Sequence, residues 1–276
     1  MDTQIIAVYC LCDDMLKALH HYEDPQCQMS DAEIMTAAIV AVLYFSGNYV
    51  RACELLLEQE YIPKMLSKSR FNRRLHRIKP LFLTLFAFLG EYWKDLNAES
   101  IYSIDSFPVP ACDNIHIRHA RLYTEERYRG YIASKKRYFY GLKVHLLVTK
   151  DGQPVELFLT PGSTADVSTL PYYEFELPPG STIYADRGYN DYGFEDDLRE
   201  TDGIDLQPMR KKNSKRPYPP WVRYLQHYHR KMVETAGSLI EQRFPKSIHA
   251  VTAAGFELKV VLFVLAFSID RLQVAT

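Results

Sequence analysis

The sequence has no apolar run long enough to cross a membrane. Its longest, Thr36 to Phe45, Leu81 to Leu89 and Val260 to Ile269, fall short of the roughly 18 residues a span requires, and they read as buried helices. Cysteine is sparse, with only Cys10, Cys12, Cys27, Cys53 and Cys112. An odd number leaves one thiol outside any disulfide scheme, and no paired Cys-x-x-Cys steps suggest structural zinc, so free buried thiols are expected. Cys10 and Cys12 with His20 and His21 form a weak metal alternative, because a one-residue spacing suits a structural zinc site poorly. The start, Met-Asp-Thr-Gln-Ile-Ile, lacks a basic segment followed by a long apolar one, so no secretory signal is visible. A cytoplasmic protein without a membrane partner is expected. No internal repeat or low-complexity tract interrupts the chain.

Net positive charge is also missing, since the formal total is −1. That total argues against a nucleic-acid partner only until charge placement is considered. From Lys64 to Lys79 there are seven Lys/Arg and no acid, and from Arg210 to Lys231 there are eight and no acid. Acids elsewhere conceal both clusters. With 47% apolar and 24% charged residues over 276 positions, the composition is that of a folded globular chain able to bury a proper core.

Residues 1–97 read as helical. Ser30-Asp-Ala-Glu33 has capping-box spacing and announces an apolar helix. Gly47-Asn48 breaks the pattern, a second helix runs from about Tyr49 to Gln59, and a third begins at Ser67. On that third helix Phe71, Leu75 and Ile78 share a face, while Lys68, Arg70, Arg73, Arg74 and Arg77 occupy much of the rest, as in a recognition helix of a helix-turn-helix unit. An apolar helix after Pro80 closes the unit.

From residue 98 to 276 the pattern alternates between strand and helix. Ile101 to Ser106 is a short strand. Tyr138 to Thr149 and Gln153 to Leu159 flank Asp151-Gly152, a hairpin turn signal. Thr182 to Ala185 forms another strand, followed by a helix over Asp191 to Arg199, a strand near Ile204 to Met209, a loop over Asn213 to Pro220, a long helix carrying Glu234 and an apolar helix from Leu258 to Leu272. Lys143 and His145 alternate and so share a sheet face.

Three carboxylates stand out. Asp105 and Asp186 close short β-branched and aromatic runs, where strands would end, and Glu234 lies in a helical segment. Brought together, they can hold divalent cations and activate an oxygen nucleophile against a phosphodiester. Each has a bland reading as well: Asp105 as a turn cap before Ser106, Asp186 as the ion-pair partner of Arg187, and Glu234 as an exposed residue paired with Arg230 four positions earlier.

Ile-Asp-Ser (104–106), Tyr-Gly-Leu-Lys-Val-His-Leu (140–146), Ala-Asp-Arg-Gly-Tyr (185–189) and Arg-x-x-x-Glu-Thr (230–235), in that order, resemble the DDE transposases of bacterial insertion sequences over about residues 100 to 272. The resemblance implies an α/β, ribonuclease-H-like mixed-sheet catalytic domain behind the N-terminal all-helical, DNA-binding domain. It implies Asp105, Asp186 and Glu234 as the catalytic carboxylates and ligands of two Mg²⁺ or Mn²⁺ ions. It also implies cleavage of transposon ends followed by strand transfer into target double-stranded DNA, by a homodimer assembled on DNA within the bacterial nucleoid. Arg187, Arg210, Lys211, Lys212, Lys215, Arg216 and Arg230 are expected to join the basic helix in contacting DNA. Trp221 and Tyr224 are expected to pack, with stacking on a displaced base as the alternative. The chain departs from related patterns at His227, where a tyrosine is common, and at Glu241, where a basic residue is common; Glu241 is thereby a rival for the third carboxylate. A metal-dependent endonuclease without strand transfer, and a non-catalytic DNA-binding derivative, are the other readings.

Overall fold

The computed structural model describes residues 1–132 and 135–272. The chain forms two compact units, one made of Met1–Leu89 with the chain from Ile240 on, the other of Gly90–Leu239. The sequence boundary at residues 97 and 98 assigns the final helix to the catalytic half, whereas its packing partner lies in the helical unit.

That unit is built around one helix. Helices α1 (Asp2–Ala18), α2 (Asp31–Phe45), α3 (Tyr49–Glu58), α4 (Lys68–Arg77), the first part of α5 (Lys79–Leu96) and α8 (Ala253–Leu272) belong to it. Ser30 caps α2 with the full reciprocal capping box to Glu33, which fixes where the helix starts. A stretch apolar except for Thr36, whose hydroxyl donates to the Ala32 carbonyl, then runs buried from Ile34 to Val42, with α1, α3, α4 and α8 packed against α2. A helix apolar on every side needs neighbours on every side, and α8, equally buried from Phe256 to Ile269, supplies one of them. Asn48 caps α3. Among the described residues no single helix is long and apolar enough to cross a membrane. All five cysteines are free, and of these Cys10 is exposed and Cys12 fully buried.

The second unit is a six-stranded mixed sheet: β1 (Ile101–Asp113), β2 (Arg129–Ile132), β3 (Arg137–Thr149), β4 (Pro154–Pro161), β5 (Thr182–Ala185) and β6 (Asp205–Pro208). β3 pairs antiparallel with β1 and β4, whereas β5 and β6 run parallel to β1. The order β4-β3-β1-β5-β6 with this change of direction is the ribonuclease-H-like arrangement. Residues Thr149 to Gly152 make the expected turn, with Gly152 at φ +81, a left-handed conformation that favours glycine.

β1 is longer than expected. It continues past Ser106, through Pro108 and Pro110, to Asp113. Proline lacks the N–H that a central strand needs on both edges, yet β5 pairs with β1 only as far as Ile104. Both prolines have the same parity, so their missing donors fall on one edge, while β3 remains paired opposite them on the other. Asp105 is the first residue beyond the β5 pairing.

Candidate active site

Asp105 does not close its strand as expected but lies within β1, and the parallel register with β5 sets it beside Asp186. Ile104 lies opposite Ala185 in the parallel register, so Asp105 and Asp186 each come one residue later. Asp186 ends β5 and caps the 3-10 turn Arg187–Tyr189 through a hydrogen bond from the Gly188 N–H. Asp105 accepts from the N–H of Ser106 at 2.8 Å.

Helix α7 (Pro220–Arg243) brings the third acid. Within the sheet unit it crosses the strands in order: Gln226 donates to the carbonyl of Gln207 on β6 at 3.2 Å, His229 stacks on Tyr184 of β5 with ring centroids 5.0 Å apart, and Gly237 lies against the ring of Phe107 on β1. The buried positions Val222, Gln226, His229, Val233 and Ala236 follow the helical period. Arg230 and Glu234 sit on the flank of this stripe, one turn apart, where the helix passes the end of β5 and Asp105 on β1.

Arg230 ties the acids together. One of its terminal nitrogens lies 2.7 Å from Glu234, 3.8 Å from Asp105 and 3.8 Å from Asp186. The bland pairing of Glu234 with Arg230 is therefore real, but it is one arm of a shared contact. Asp186 makes its ion pair with Arg230, not with Arg187, which is exposed. Burial pushes the Asp105 carboxyl up from its ordinary 3.8 to about 7; the Ser106 N–H and Arg230 pull it back, and Asp186 and Glu234 push it further up. Desolvation combined with like charge is the pattern found at functional carboxylates. Glu241 belongs to the other unit. Among the described residues no group of three His, Cys, Asp or Glu side chains is gathered closely enough to hold a metal ion as it stands, and the positive charge shared by the three acids is the Arg230 guanidinium.

Lys143 and His145 do share a face, the one that carries Ser106. His145 is fully buried, stacks on Phe158 and bonds Thr160 at 2.8 Å. Burial pulls its imidazole down to about 4, so it is a neutral structural group. Lys143 reaches the carbonyl of Thr164 at 2.8 Å and Asp166 at 2.9 Å. Asp166 is the residue that sequence reasoning missed.

The basic residues divide into two groups. Lys68, Arg70, Arg73 and Arg77 project from α4 into solvent, and Lys211, Lys212 and Lys215 are exposed in the loop before α7. Arg74 instead binds Asp31 at 2.5 Å and Glu23 at 2.7 Å inside the helical unit. Arg210 forms a buried, two-pronged pair with Glu195 and also reaches Asn190 and Tyr218, and Arg216 pairs with Asp196 at 2.7 Å. Trp221 and Tyr224 do not pack: they are 66% and 70% exposed, because α7 buries the opposite side.

A model of the transposase DDE domain matches residues 96–244, which is more than half of the chain and includes all three acids. The chain belongs to that family. No curated protein matches it. Two solved structures are similar to it: a piggyBac transposase synaptic complex with hairpin DNA, at 12% identity and a TM-score of 0.49, covering 98% of this chain and 75% of that one, and a pre-cleavage Mos1 transpososome, at 12% identity and a TM-score of 0.25, covering 92% of this chain and 81% of that one. Both likenesses are loose. The family assignment rests on the domain match, and it makes the chain a transposase.

Proposed function

We propose that this transposase cuts DNA at the ends of its insertion-sequence element and joins the freed 3′-hydroxyls to target DNA at the site formed by Asp105, Asp186 and Glu234. The observation that carries the reading is Arg230, whose guanidinium is shared by all three carboxylates although they lie far apart in sequence. Three acids gathered around one cation where β5 ends and its pairing with β1 stops, with one of them desolvated, form the pattern expected of a site that uses that charge.

Members of the DDE family generally use divalent metal ions, and the residues present suit Mg²⁺ or Mn²⁺. The donor set is carboxylate oxygen alone, which favours hard cations over zinc or copper. Asp105, Asp186 and Glu234 would hold the pair of ions, which when bound activate the attacking oxygen and offset charge on the phosphate. The chain's own residues supply the rest. The Ser106 and Gly188 N–H groups fix one oxygen of Asp105 and one of Asp186, so each carboxylate keeps a defined orientation. Arg230 limits repulsion among the acids, and exposed Arg187 is placed to reach a phosphate beside them.

DNA contact is assigned to the solvent-facing cations: Lys68, Arg70, Arg73 and Arg77 on α4 for the element's end, and Lys211, Lys212 and Lys215 for the flanking backbone. Arg74, Arg210 and Arg216 serve this only indirectly, through ion pairs that hold α4 and the loop before α7 in place. Two ends must be cut and joined together, which calls for a dimer on DNA.

The test is incubation with duplex DNA carrying the element's ends, with and without Mg²⁺ or Mn²⁺, for wild type, Asp105→Asn, Asp186→Asn and Glu234→Gln. Metal-dependent cleavage with joined products, lost in all three variants while DNA binding survives, is expected. Cleavage without joining would reduce the activity to that of an endonuclease. Cleavage that survives the substitutions would overturn the site.

A further inference from the structure

We propose that Asp166 is a fourth carboxylate of this site, a positioning residue that tethers the segment behind Asp105 and adds its charge across Gly188 from Asp186. The inference rests on the site reading given above.

Asp166 opens the 3-10 turn Asp166–Tyr172, and it is firmly held. Its Oδ1 accepts from the Ser106 hydroxyl at 2.8 Å and from the Lys143 ammonium at 2.9 Å. Lys143 also binds the carbonyl of Thr164 at 2.8 Å, and the Thr169 hydroxyl donates to the Asp166 carbonyl at 2.6 Å. Ser106 therefore has two tasks. Its N–H holds Asp105, and its side chain, on the opposite face of β1, holds Asp166.

The other oxygen of Asp166 lies beside Gly188, in the turn that the second aspartate caps. A Cβ added to Gly188 would lie 3.0 Å from Asp166 Oδ2 and 3.0 Å from Asp186 Oδ1, so both carboxylates come close to the same backbone point. Any larger residue there would crowd both carboxylates, although the backbone φ itself is ordinary. Arg230 thus meets Asp105, Asp186 and Glu234 from the helix, and Lys143 meets Asp166 from the sheet. An ordinary staple between β3 and the loop at Thr164 would need only the Lys143 ion pair. It would not need a hydroxyl from the residue after Asp105, or a second oxygen as close to Gly188 as the Asp186 carboxylate is.

Residues placed just behind metal-binding groups typically change metal affinity by about 10-fold or more when altered. The experiment titrates Mn²⁺ into the full-length protein, followed by electron paramagnetic resonance, with thermal unfolding and end-DNA binding measured alongside. Asp166→Asn keeps an oxygen that Ser106 and Lys143 can still bond, but loses the charge. It should weaken Mn²⁺ binding about 10-fold with unfolding temperature and DNA binding unchanged. Ser106→Ala keeps the charge and loses the tether, and a smaller loss is expected. Wild-type affinity in Asp166→Asn, while Asp105→Asn and Asp186→Asn are weakened, overturns the role of Asp166 alone. Affinity that all of these substitutions leave unchanged, or wild-type protein that binds no Mn²⁺, overturns the site reading and this inference with it.

Discussion

Two arginines, one in each unit, are surrounded by acids, and they do opposite things. Arg74 in the helical unit binds Asp31 and Glu23 at 2.5 and 2.7 Å, and His21 reaches the other oxygen of Asp31 at 2.9 Å. Burial opposes the Arg74 charge, but the two carboxylates outweigh it and hold its proton more firmly than usual. That cluster is satisfied and closed. Arg230 in the sheet unit makes one close contact, to Glu234, and stands 3.8 Å from both aspartates, while Asp105 is held near neutrality by burial. The same chemistry yields a closed staple where the guanidinium binds every carboxylate beside it closely, and an open cluster where it binds one of three closely and stands off from the other two.

The contrast can be broken at either end. Arg74→Ala leaves Asp31 buried with only His21 beside it; breaking a buried pair on one side costs about 3–5 kcal/mol, which urea unfolding would register. A loss below about 1 kcal/mol would mean that the Arg74 cluster is no staple.

Asp105→Asn should do the reverse. A carboxyl raised from 3.8 to about 7 on folding takes up its proton more readily in the folded state, so between those pH values the folded chain binds more protons than the unfolded one and stability falls as pH rises. The asparagine variant is therefore expected to match wild type near pH 4 and to exceed it above pH 7. The gain should be on the order of 2 kcal/mol, since each tenfold change in proton affinity corresponds to about 1.4 kcal/mol and the group is partly solvated. An equal difference at both pH values would contradict the burial of that charge.

The smallest effect concerns the exposed rings of α7. Trp221→Ala and Tyr224→Ala should each leave stability within about 0.5 kcal/mol of wild type, as surface substitutions do. A larger loss would show that the rings are packed after all.

The sequence made some of this legible and hid some for identifiable reasons. The α2 capping box, the Thr182–Ala185 strand and the turn at Gly152 depend on neighbours within a few positions, and all were readable. The length of β1 was not, because Pro108 and Pro110 look like breakers unless one knows that β5 stops at Ile104. Trp221 and Tyr224 misled because apolar character was taken for burial, whereas α7 buries Gln226 and His229, whose polar atoms and ring serve β6 and β5. Asp166 carries no local signal. Its place depends on Ser106 and Lys143, 60 and 23 residues away, and only the fold brings them together.

The account's central claim is that the cluster around Arg230, and not the one around Arg74, is where a divalent cation sits. Fe²⁺ substituted for the native ion, with ascorbate and peroxide, cuts a polypeptide near the bound iron, and the fragments give the positions. Cuts close to residues 105, 186 and 234, suppressed by excess Mg²⁺ and absent around residues 31 and 74, are predicted. Cuts at the Arg74 cluster, or none near the three acids, would contradict the account.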